Sequence, residues 1–245
     1  MPDMPPSQLP VLALDTSTEF IAAGLHTAGG SFTRLARGGT LASARLLPEL
    51  RALLAEAGLD WADLGAIAFG QGPGAFTGLR TACAVAQGLG FGLQRRLLPL
   101  DSLLIVAEDA RAQLGATEVV LGVVMDARMD EAYAARYRWH GGGWQVLDAP
   151  TLYSLAALHA KWSGAPLQAL AGSALAAFGS RLQLACSGPR LAQEQDRAAA
   201  LLRLAVRAVA EGGGVDPAAA LPMYLREKVA QTTVEREQAR ARATP

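Results

Sequence analysis

The sequence predicts an α/β fold of two lobes, each a mixed sheet with flanking helices, and three observations lead to this prediction. The chain has 245 residues, of which 51% are hydrophobic and 18% charged, so it can bury a large core. Buried-strand patterns alternate with helical patterns. One pattern occurs twice: a buried strand ends in an acid at Asp15 and at Asp126, and a hairpin strand follows at 19–25 and at 130–136. The repetition indicates a duplicated unit.

The first half begins with a predicted meander of three strands, residues 11–14, 19–25 and 31–36. A helix ending at Gly58 follows, because six apolar residues recur at helical spacing: Leu46, Leu47, Leu50, Leu53, Leu54 and Ala57. A short helical turn at 60–64 and a buried strand at 66–69 complete this part of the lobe.

A glycine segment, residues 70–80, then joins the strand to a helix that Thr77 is expected to cap and that runs to about Gly90. A strand, a glycine loop and a helix in this order can hold a phosphate group. However, the segment has no lysine at the Walker A position, and Pro73 removes one N–H group. We therefore predict a vestigial phosphate loop, formed by Asp15, Gly72, Gly74, Thr77 and Arg80.

Alternative roles are open for three side chains: Arg80, Asp15 and Asp126. Arg80 can face an anion at the helix start, or it can pair with a nearby carbonyl or acid, which we favour. Asp15 and Asp126 can hold magnesium beside a nucleotide. The turn after Asp15 contains no glycine, and this favours an Asx-turn cap instead.

The second half is predicted from the same patterns. A helix at 102–114, capped by Asp101 or Ser102, opens it; strands at 119–125, 131–139 and 144–147 and helices at 155–162 and 199–210 follow. The predicted division is a mobile tail at 1–8, a first lobe at 9–100 completed by a helix at about 196–225, a second lobe at 101–195, and a mobile tail at 231–245.

Composition argues against several classes of protein. The 22 basic and 22 acidic residues give no net charge, so strong direct binding of nucleic acid is not expected. Two cysteines form no disulfide framework, which suits the cytoplasm. The N-terminus does not read as a secretory signal, and no apolar run is long enough for a membrane.

Histidine spacing bears on metal chemistry. The three histidines, His26, His140 and His159, form no pair at i,i+4. This spacing argues against a zinc or iron hydrolase, and we expect no metal site. No cofactor and no catalytic residue are expected in this chain either.

The two helices of the first lobe carry a further prediction. The apolar stripe and the small-residue helix can form either a core helix pair or an interface with a partner. We predict a partner interface formed by Leu46, Leu47, Leu50, Leu53, Leu54, Ala82, Ala86 and Gly90.

Four segments occur in the order found in one family: residues 12–18, the glycine segment, Met125-Asp-Ala-Arg128 and Tyr224-Leu-Arg226. Together they resemble the bacterial TsaB (YeaZ-type) family, accessory proteins of tRNA threonylcarbamoyladenosine synthesis. The resemblance covers roughly residues 9–230, and the glycine segment is its specific part. One departure is Ala42, where family members often carry a histidine.

This resemblance implies an actin/Hsp70/sugar-kinase type (ASKHA) fold and a pseudoenzyme, an inactive paralogue of the transferase subunit TsaD. The metal-binding histidines of the catalytic relative align with Ser102 and Val106, neither of which is a metal ligand. The implied partners are a TsaD-type catalytic subunit, bound through helices at about 43–57 and 77–91, and a TsaE-type ATPase. The chain alone could form a homodimer, and tRNA would be met only through the complex.

Two other functions stay open at this level. An ATP-dependent phosphotransferase of the same fold would use the glycine segment, Asp15 and Asp126. A metallo-endopeptidase is the weaker idea, since relatives of this fold have carried that label.

Overall fold

The computed structural model describes residues 9–226 and contains two mixed sheets. The strands of the first sheet are β1 (Val11–Asp15), β2 (Phe20–Thr27), β3 (Gly30–Arg37), β4 (Ala66–Gly72) and β5 (Leu97–Asp101). Those of the second are β6 (Val119–Asp126), β7 (Glu131–His140), β8 (Gly143–Ser154), β9 (Ala169–Ala171) and β10 (Arg190–Leu191). The tails predicted at 1–8 and 231–245 lie outside the described residues.

Both sheets have the same topology. The first has the order β3-β2-β1-β4-β5, and the second, taken from its opposite edge, has the order β8-β7-β6-β9-β10. In each, three strands form an antiparallel meander, a fourth strand pairs in parallel with the first strand of the meander, and a fifth pairs in parallel with the fourth. The duplicated α/β unit and the fold class of two mixed sheets with flanking helices, both predicted from the sequence, are confirmed.

Within the described residues, six helices cover the sheets: α1 (Ala42–Glu56), α2 (Phe76–Leu93), α3 (Ser102–Leu114), α4 (Leu155–Lys161), α5 (Ala174–Phe178) and α6 (Arg197–Ala210). On the first sheet, Leu12 and Leu14 point toward α1 and α2, whereas Val11 and Ala13 point toward α6. A strand covered on both faces needs apolar residues at every position, which explains the continuous apolar run at the start of β1.

The second sheet is covered in the same way, by α3 on one face and by α4 and α5 on the other. Helices α3 and α6 pack against each other between the two sheets. Since α6 follows the second sheet in sequence but packs on the first, we propose to keep the division into lobe 1 (9–100 with 196–225) and lobe 2 (101–195).

Several local predictions differ from the structure. Strands β5, β9 and β10 and helix α5 are absent from the sequence prediction, because five residues or fewer are too short to show a period. Thr77 does not cap α2: the N-cap residue is Ala75, and no side chain caps that end. Asp101 does cap α3, accepting a hydrogen bond from the N–H of Leu103.

Candidate functional site

The glycine segment packs against the turn that follows β1, and this contact explains its glycines. A Cβ atom at Gly78 would lie 1.8 Å from the carbonyl oxygen of Thr16, and one at Gly74 would lie 2.5 Å from that of Ser17. The N–H of Ala75 donates to the carbonyl of Ser17 at 2.7 Å, and the Thr16 hydroxyl donates to the carbonyl of Gly78. Protein backbone therefore lies where a phosphate would need to approach.

A second backbone contact holds the start of the loop. The N–H of Gly72 donates to the hydroxyl of Ser102 at 3.1 Å, and the backbone of Gly72 is left-handed with φ at 118°. Ser102 and Val106, the positions that align with the metal-binding histidines of the catalytic relative, are both buried. Ser102 thus supports the loop, and Val106 packs in the core beneath the second sheet.

The carboxylate of Asp15 is engaged by a buried arginine. Arg197 donates from Nε to Oδ2 of Asp15 at 2.8 Å and from Nη2 to the hydroxyl of Ser17 at 2.8 Å. Its Nη1 lies 2.6 Å from Oε2 of Glu194. Arg197 is 4% exposed and Asp15 is 0% exposed. The Asx-turn role that the sequence favours for Asp15 is therefore wrong, because neither carboxylate oxygen accepts a backbone N–H within the described residues: Oδ2 accepts from Arg197 and from the Ser17 hydroxyl.

Electrostatics keep this arginine charged. Burial opposes its charge, but the nearby carboxylates of Glu194 and Asp15 raise the pKa of Arg197 above its ordinary value. The guanidinium therefore supplies the positive charge beside Asp15 that a nucleotide site would take from a metal ion. Among the described residues, Oδ1 of Asp15 has no hydrogen-bond partner; it lies against the backbone of Gly70.

Arg80 is also engaged by the protein. Its guanidinium lies 3.9 Å from the ring centroid of Phe76, and its Nε donates to the hydroxyl of Tyr224 at 3.0 Å. The predicted pairing of Arg80 with a carbonyl or an acid is wrong, since an aromatic hydroxyl and a ring are its contacts. Thr77 is exposed, and its carbonyl accepts a hydrogen bond from the hydroxyl of Thr81 within the helix.

The turn after β6 is the counterpart of the Asp15 turn in lobe 2. Oδ1 of Asp126 accepts from the N–H of Arg128 at 2.8 Å, and the N–H of Asp126 donates to the hydroxyl of Ser173. Asp126 therefore forms an Asx turn. Within residues 9–226, no three His, Cys, Asp or Glu side chains are grouped so that they could hold a metal ion.

The predicted partner-interface residues lie mostly inside lobe 1. Seven are buried in the core or in close helix packing: Leu46, Leu50, Leu53, Leu54, Ala82, Ala86 and Gly90. The stripe on α1 packs against the first sheet, in the core of lobe 1. A Cβ at Gly90 would lie 2.9 Å from Pro217, so this glycine packs within the chain. For these side chains the predicted contact with a partner is wrong; Leu47, at 45% exposed, is the exception.

The opposite face of the same two helices borders a groove of about 830 Å³. Residues of α1, α2 and the intervening turn line it, among them Leu47, Pro48, Ala52, Trp61, Gly88, Leu89 and Gly92. A Cβ added at Gly88 or Gly92 would meet no atom within 4 Å. These glycines therefore leave the groove open instead of serving the packing of the lobe.

Sequence reasoning missed Arg197 and the other contacts between α3 and α6. Glu108, buried on α3, accepts hydrogen bonds from Arg111, Arg203 and the indole of Trp144. Asp109 accepts from the N–H groups of residues 195 and 196. The charged run at residues 194–197 is visible in the sequence, but Asp15, the buried partner of Arg197, is 182 residues away.

Known relatives fit this architecture. Residues 41–235 match the family described as TsaD, tRNA N6-adenosine threonylcarbamoyltransferase. The chain is 36% identical to the tRNA threonylcarbamoyladenosine biosynthesis protein TsaB of Escherichia coli strain K12 over 140 residues, 54% of this chain and 58% of that protein. It is 39% identical to the protein of the same name from Haemophilus influenzae over 127 residues, 51% of this chain and 52% of that protein. The chain thus spans somewhat more than half the length of these curated relatives.

Solved structures extend the likeness to both lobes. YeaZ from Pseudomonas aeruginosa has a TM-score of 0.77 and 36% identity, covering 88% of this chain and 99% of that chain. A crystal structure of an uncharacterized P. aeruginosa protein, described as similar to the peptidase YeaZ, has a TM-score of 0.80 and 37% identity, covering 89% of this chain and 99% of that chain. The chain therefore belongs to the TsaD-related family, and within it to the TsaB (YeaZ-type) proteins.

Proposed function

We propose that this protein is a non-catalytic scaffold subunit of tRNA threonylcarbamoyladenosine biosynthesis. In this role it binds a TsaD-type catalytic subunit and supports threonylcarbamoylation of the adenosine next to the anticodon. The relatives in E. coli and H. influenzae are named for this biosynthesis. The observation that carries the non-catalytic part is the buried ion pair of Arg197 with Asp15, in which the guanidinium neutralises the carboxylate that ends β1.

We place the partner on the exposed groove between α1 and α2. The groove presents apolar side chains such as Leu47 and Leu89 together with the open glycines of α2. Small residues let a partner helix approach the backbone closely, and apolar burial supplies the free energy of association. This placement keeps the helices predicted from the sequence but uses their outer face.

The experiment is co-purification of the full-length chain with the TsaD-type subunit of the same organism. We expect Leu47→Asp to abolish co-purification and the modification of tRNA in the reconstituted system, because an unpaired charge would be buried in the interface. Val146→Asp is the matched control: Val146 is 53% exposed on β8 of lobe 2, so this variant should bind normally. Retention of the partner by a folded Leu47→Asp variant would refute this interface.

Four further parts of the proposal concern assembly and location. In the absence of its partner, the same groove would pair with a second copy of the chain, and sedimentation of Leu47→Asp should then give a monomer. A TsaE-type ATPase would join the complex, and tRNA would be reached only through the catalytic subunit. We propose the cytoplasm as the compartment. No helix in the described residues is long and apolar enough to span a bilayer.

The phosphotransferase alternative has less support. It requires a phosphate beside Gly74 and a metal ion beside Asp15, and these places are taken by the Ser17 backbone and the Arg197 guanidinium. Calorimetric titration of the isolated protein with ATP and magnesium is the direct test. Tight, stoichiometric binding that is abolished by Arg80→Ala, an exposed position, would favour the phosphotransferase over the scaffold.

A further inference from the structure

The segment that contains Tyr224-Leu-Arg226 crosses from lobe 1 to lobe 2. It follows a short helical turn at 217–219 that is held on α2, where the side-chain amide of Gln87 donates to the carbonyl of Ala220 at 2.9 Å. The N–H of Met223 then donates to the carbonyl of Gln71 in the glycine segment at 2.7 Å. The proposed function gives this segment no role.

The lobe 1 end of the segment is an aromatic cluster. The ring centroids of Tyr224 and Phe76 are 5.3 Å apart, and the guanidinium of Arg80 lies over the Phe76 ring while its Nε donates to the Tyr224 hydroxyl. Aromatic and cation–π contacts of this kind stabilise an exposed segment beyond the area they bury. The segment is thereby fixed to the first turn of α2.

The lobe 2 end is Arg226, whose side chain is 16% exposed. Its Nη1 lies 2.7 Å from Oε2 of Glu131, and its Nη2 donates to the carbonyl of Ala127 at 2.9 Å and to that of Arg128 at 3.3 Å. These partners stand at both ends of the turn after β6. The guanidinium therefore brackets that turn from entry to exit.

The bracketed turn is strained. Arg128, Met129 and Asp130 have φ angles of 64°, 57° and 57°, a left-handed conformation that is costly for residues with a Cβ atom. Such a conformation persists only where neighbouring contacts determine it. Within the turn, the N–H of Ala127 donates to the carbonyl of Glu131, and Arg181 pairs with Asp130 at 2.9 Å. Arg226 is the contact that reaches the turn from the segment attached to lobe 1.

We propose that Met223–Arg226 is a latch that couples the glycine segment of lobe 1 to the left-handed turn of lobe 2 and so fixes the angle between the lobes. The glycine segment packs on the turn after β1, and β1 and β6 are equivalent strands of the duplicated unit. Tyr224 and Arg226 are two residues apart, so their Cα atoms can separate by at most about 7 Å. A hinge opening between the lobes must therefore break the contacts at one end of the latch.

Hydrogen exchange of the full-length protein, read by mass spectrometry at the two ends, tests this proposal. In Arg226→Ala, we expect the turn amides of residues 127–131 to exchange about tenfold faster, the factor for loss of one charge-assisted hydrogen bond. We expect the amides of residues 70–78, within the glycine segment, to exchange faster as well, although Arg226 contacts none of these residues. Tyr224→Ala should produce the reciprocal effect at residues 127–131.

Arg181→Ala is the matched control, because it removes an arginine that pairs with Asp130 of the same turn and does not contact the latch. It should accelerate exchange in the turn alone. If Arg226→Ala likewise leaves exchange in the glycine segment unchanged, the two ends are uncoupled and the latch is refuted.

Should either alanine variant fail to fold, Tyr224→Phe provides a milder test, because it removes only the hydroxyl bonded to Arg80. Faster hydrogen exchange at both ends in Tyr224→Phe supports the latch. Faster exchange at residues 70–78 alone refutes it.

Discussion

The guanidinium of Arg197 and the carboxylate of Asp15 form an ion pair, Nε to Oδ2 at 2.8 Å, in which both side chains are almost fully buried. The pair connects the first turn of α6 to the end of β1, 182 residues apart in sequence. A buried pair of this kind costs desolvation when it forms, but removing one partner leaves the other charge uncompensated. The ion pair therefore makes the first strand of lobe 1 depend on a helix that follows lobe 2 in sequence.

We expect Arg197→Met to lower the free energy of unfolding by about 3–5 kcal/mol, because it leaves Asp15 buried and unpaired. Urea denaturation followed by circular dichroism measures the change. Arg34→Met is the control: Arg34 pairs with the exposed Glu56 at 3.0 Å, and loss of an exposed pair should cost no more than about 1 kcal/mol. Equal costs for the two variants would mean that the buried pair contributes no more than a surface one.

Gly78→Ala should be strongly destabilising, whereas Gly88→Ala, on the same helix, should be stabilising. A methyl group at Gly78 would lie 1.8 Å from the Thr16 carbonyl oxygen, so the loop and the β1 turn must separate, at a cost of about 3 kcal/mol or more. At Gly88 the added methyl meets no atom within 4 Å, and the helix gains about 0.5–1 kcal/mol. Thermal denaturation of both variants measures the two changes in stability. A Gly78→Ala protein as stable as the wild type would show that the loop can move off the turn.

The repeated pattern at Asp15 and Asp126 predicted the duplicated fold, because alternation and strand-ending acids are local signals. The short strands β5, β9 and β10 gave no such signal, since their formation depends on pairing with distant strands. Sequence also located the glycine segment correctly. It could not show that Gly78 serves contact with Thr16, because that partner is 62 residues away.

The partner helices illustrate the limit of periodicity. The stripe from Leu46 to Leu54 identified α1, but the same spacing suits a core and an interface. Burial separates the two: Leu50 is 0% exposed and Leu47 is 45% exposed, although both belong to the apolar set. Which side faces the sheet is decided by the packing of α1 beside α2 and is not encoded in the spacing itself.

Leu50→Ala should therefore destabilise the folded chain, and Leu47→Ala should not. We expect Leu50→Ala to lower the free energy of unfolding by about 2–5 kcal/mol, since it leaves a cavity in the lobe 1 core. Leu47 lines the groove, so the free energy of unfolding of Leu47→Ala should stay within about 0.5 kcal/mol of the wild-type value. Chemical denaturation of the isolated chain makes the comparison. A large loss of stability in monomeric Leu47→Ala would show that this side of α1 belongs to the core.

Glu108 should make the stability of the chain depend on pH. Burial by itself would raise the pKa of this carboxyl, but hydrogen bonds from Arg111 and Arg203 outweigh it, and the pKa lies below its ordinary value of 4.5. The unfolded chain therefore binds a proton at higher pH than the folded chain. The stabilisation is complete above about pH 4.5 and is lost as the pH falls through the lower, folded-state pKa.

The measurement is the free energy of unfolding of the wild type and of Glu108→Gln between pH 7 and pH 3. The difference between the two should be constant near neutrality and should shrink on acidification below about pH 4.5. Burial raises the pKa of Asp101, so its contribution to the pH dependence of stability has the opposite sign. Asp101 is present in both proteins, so this contribution cancels in the difference between them. A difference that stays constant down to pH 3 would mean that Glu108 gains nothing from its charge, and that its hydrogen bonds alone hold α3 to α6.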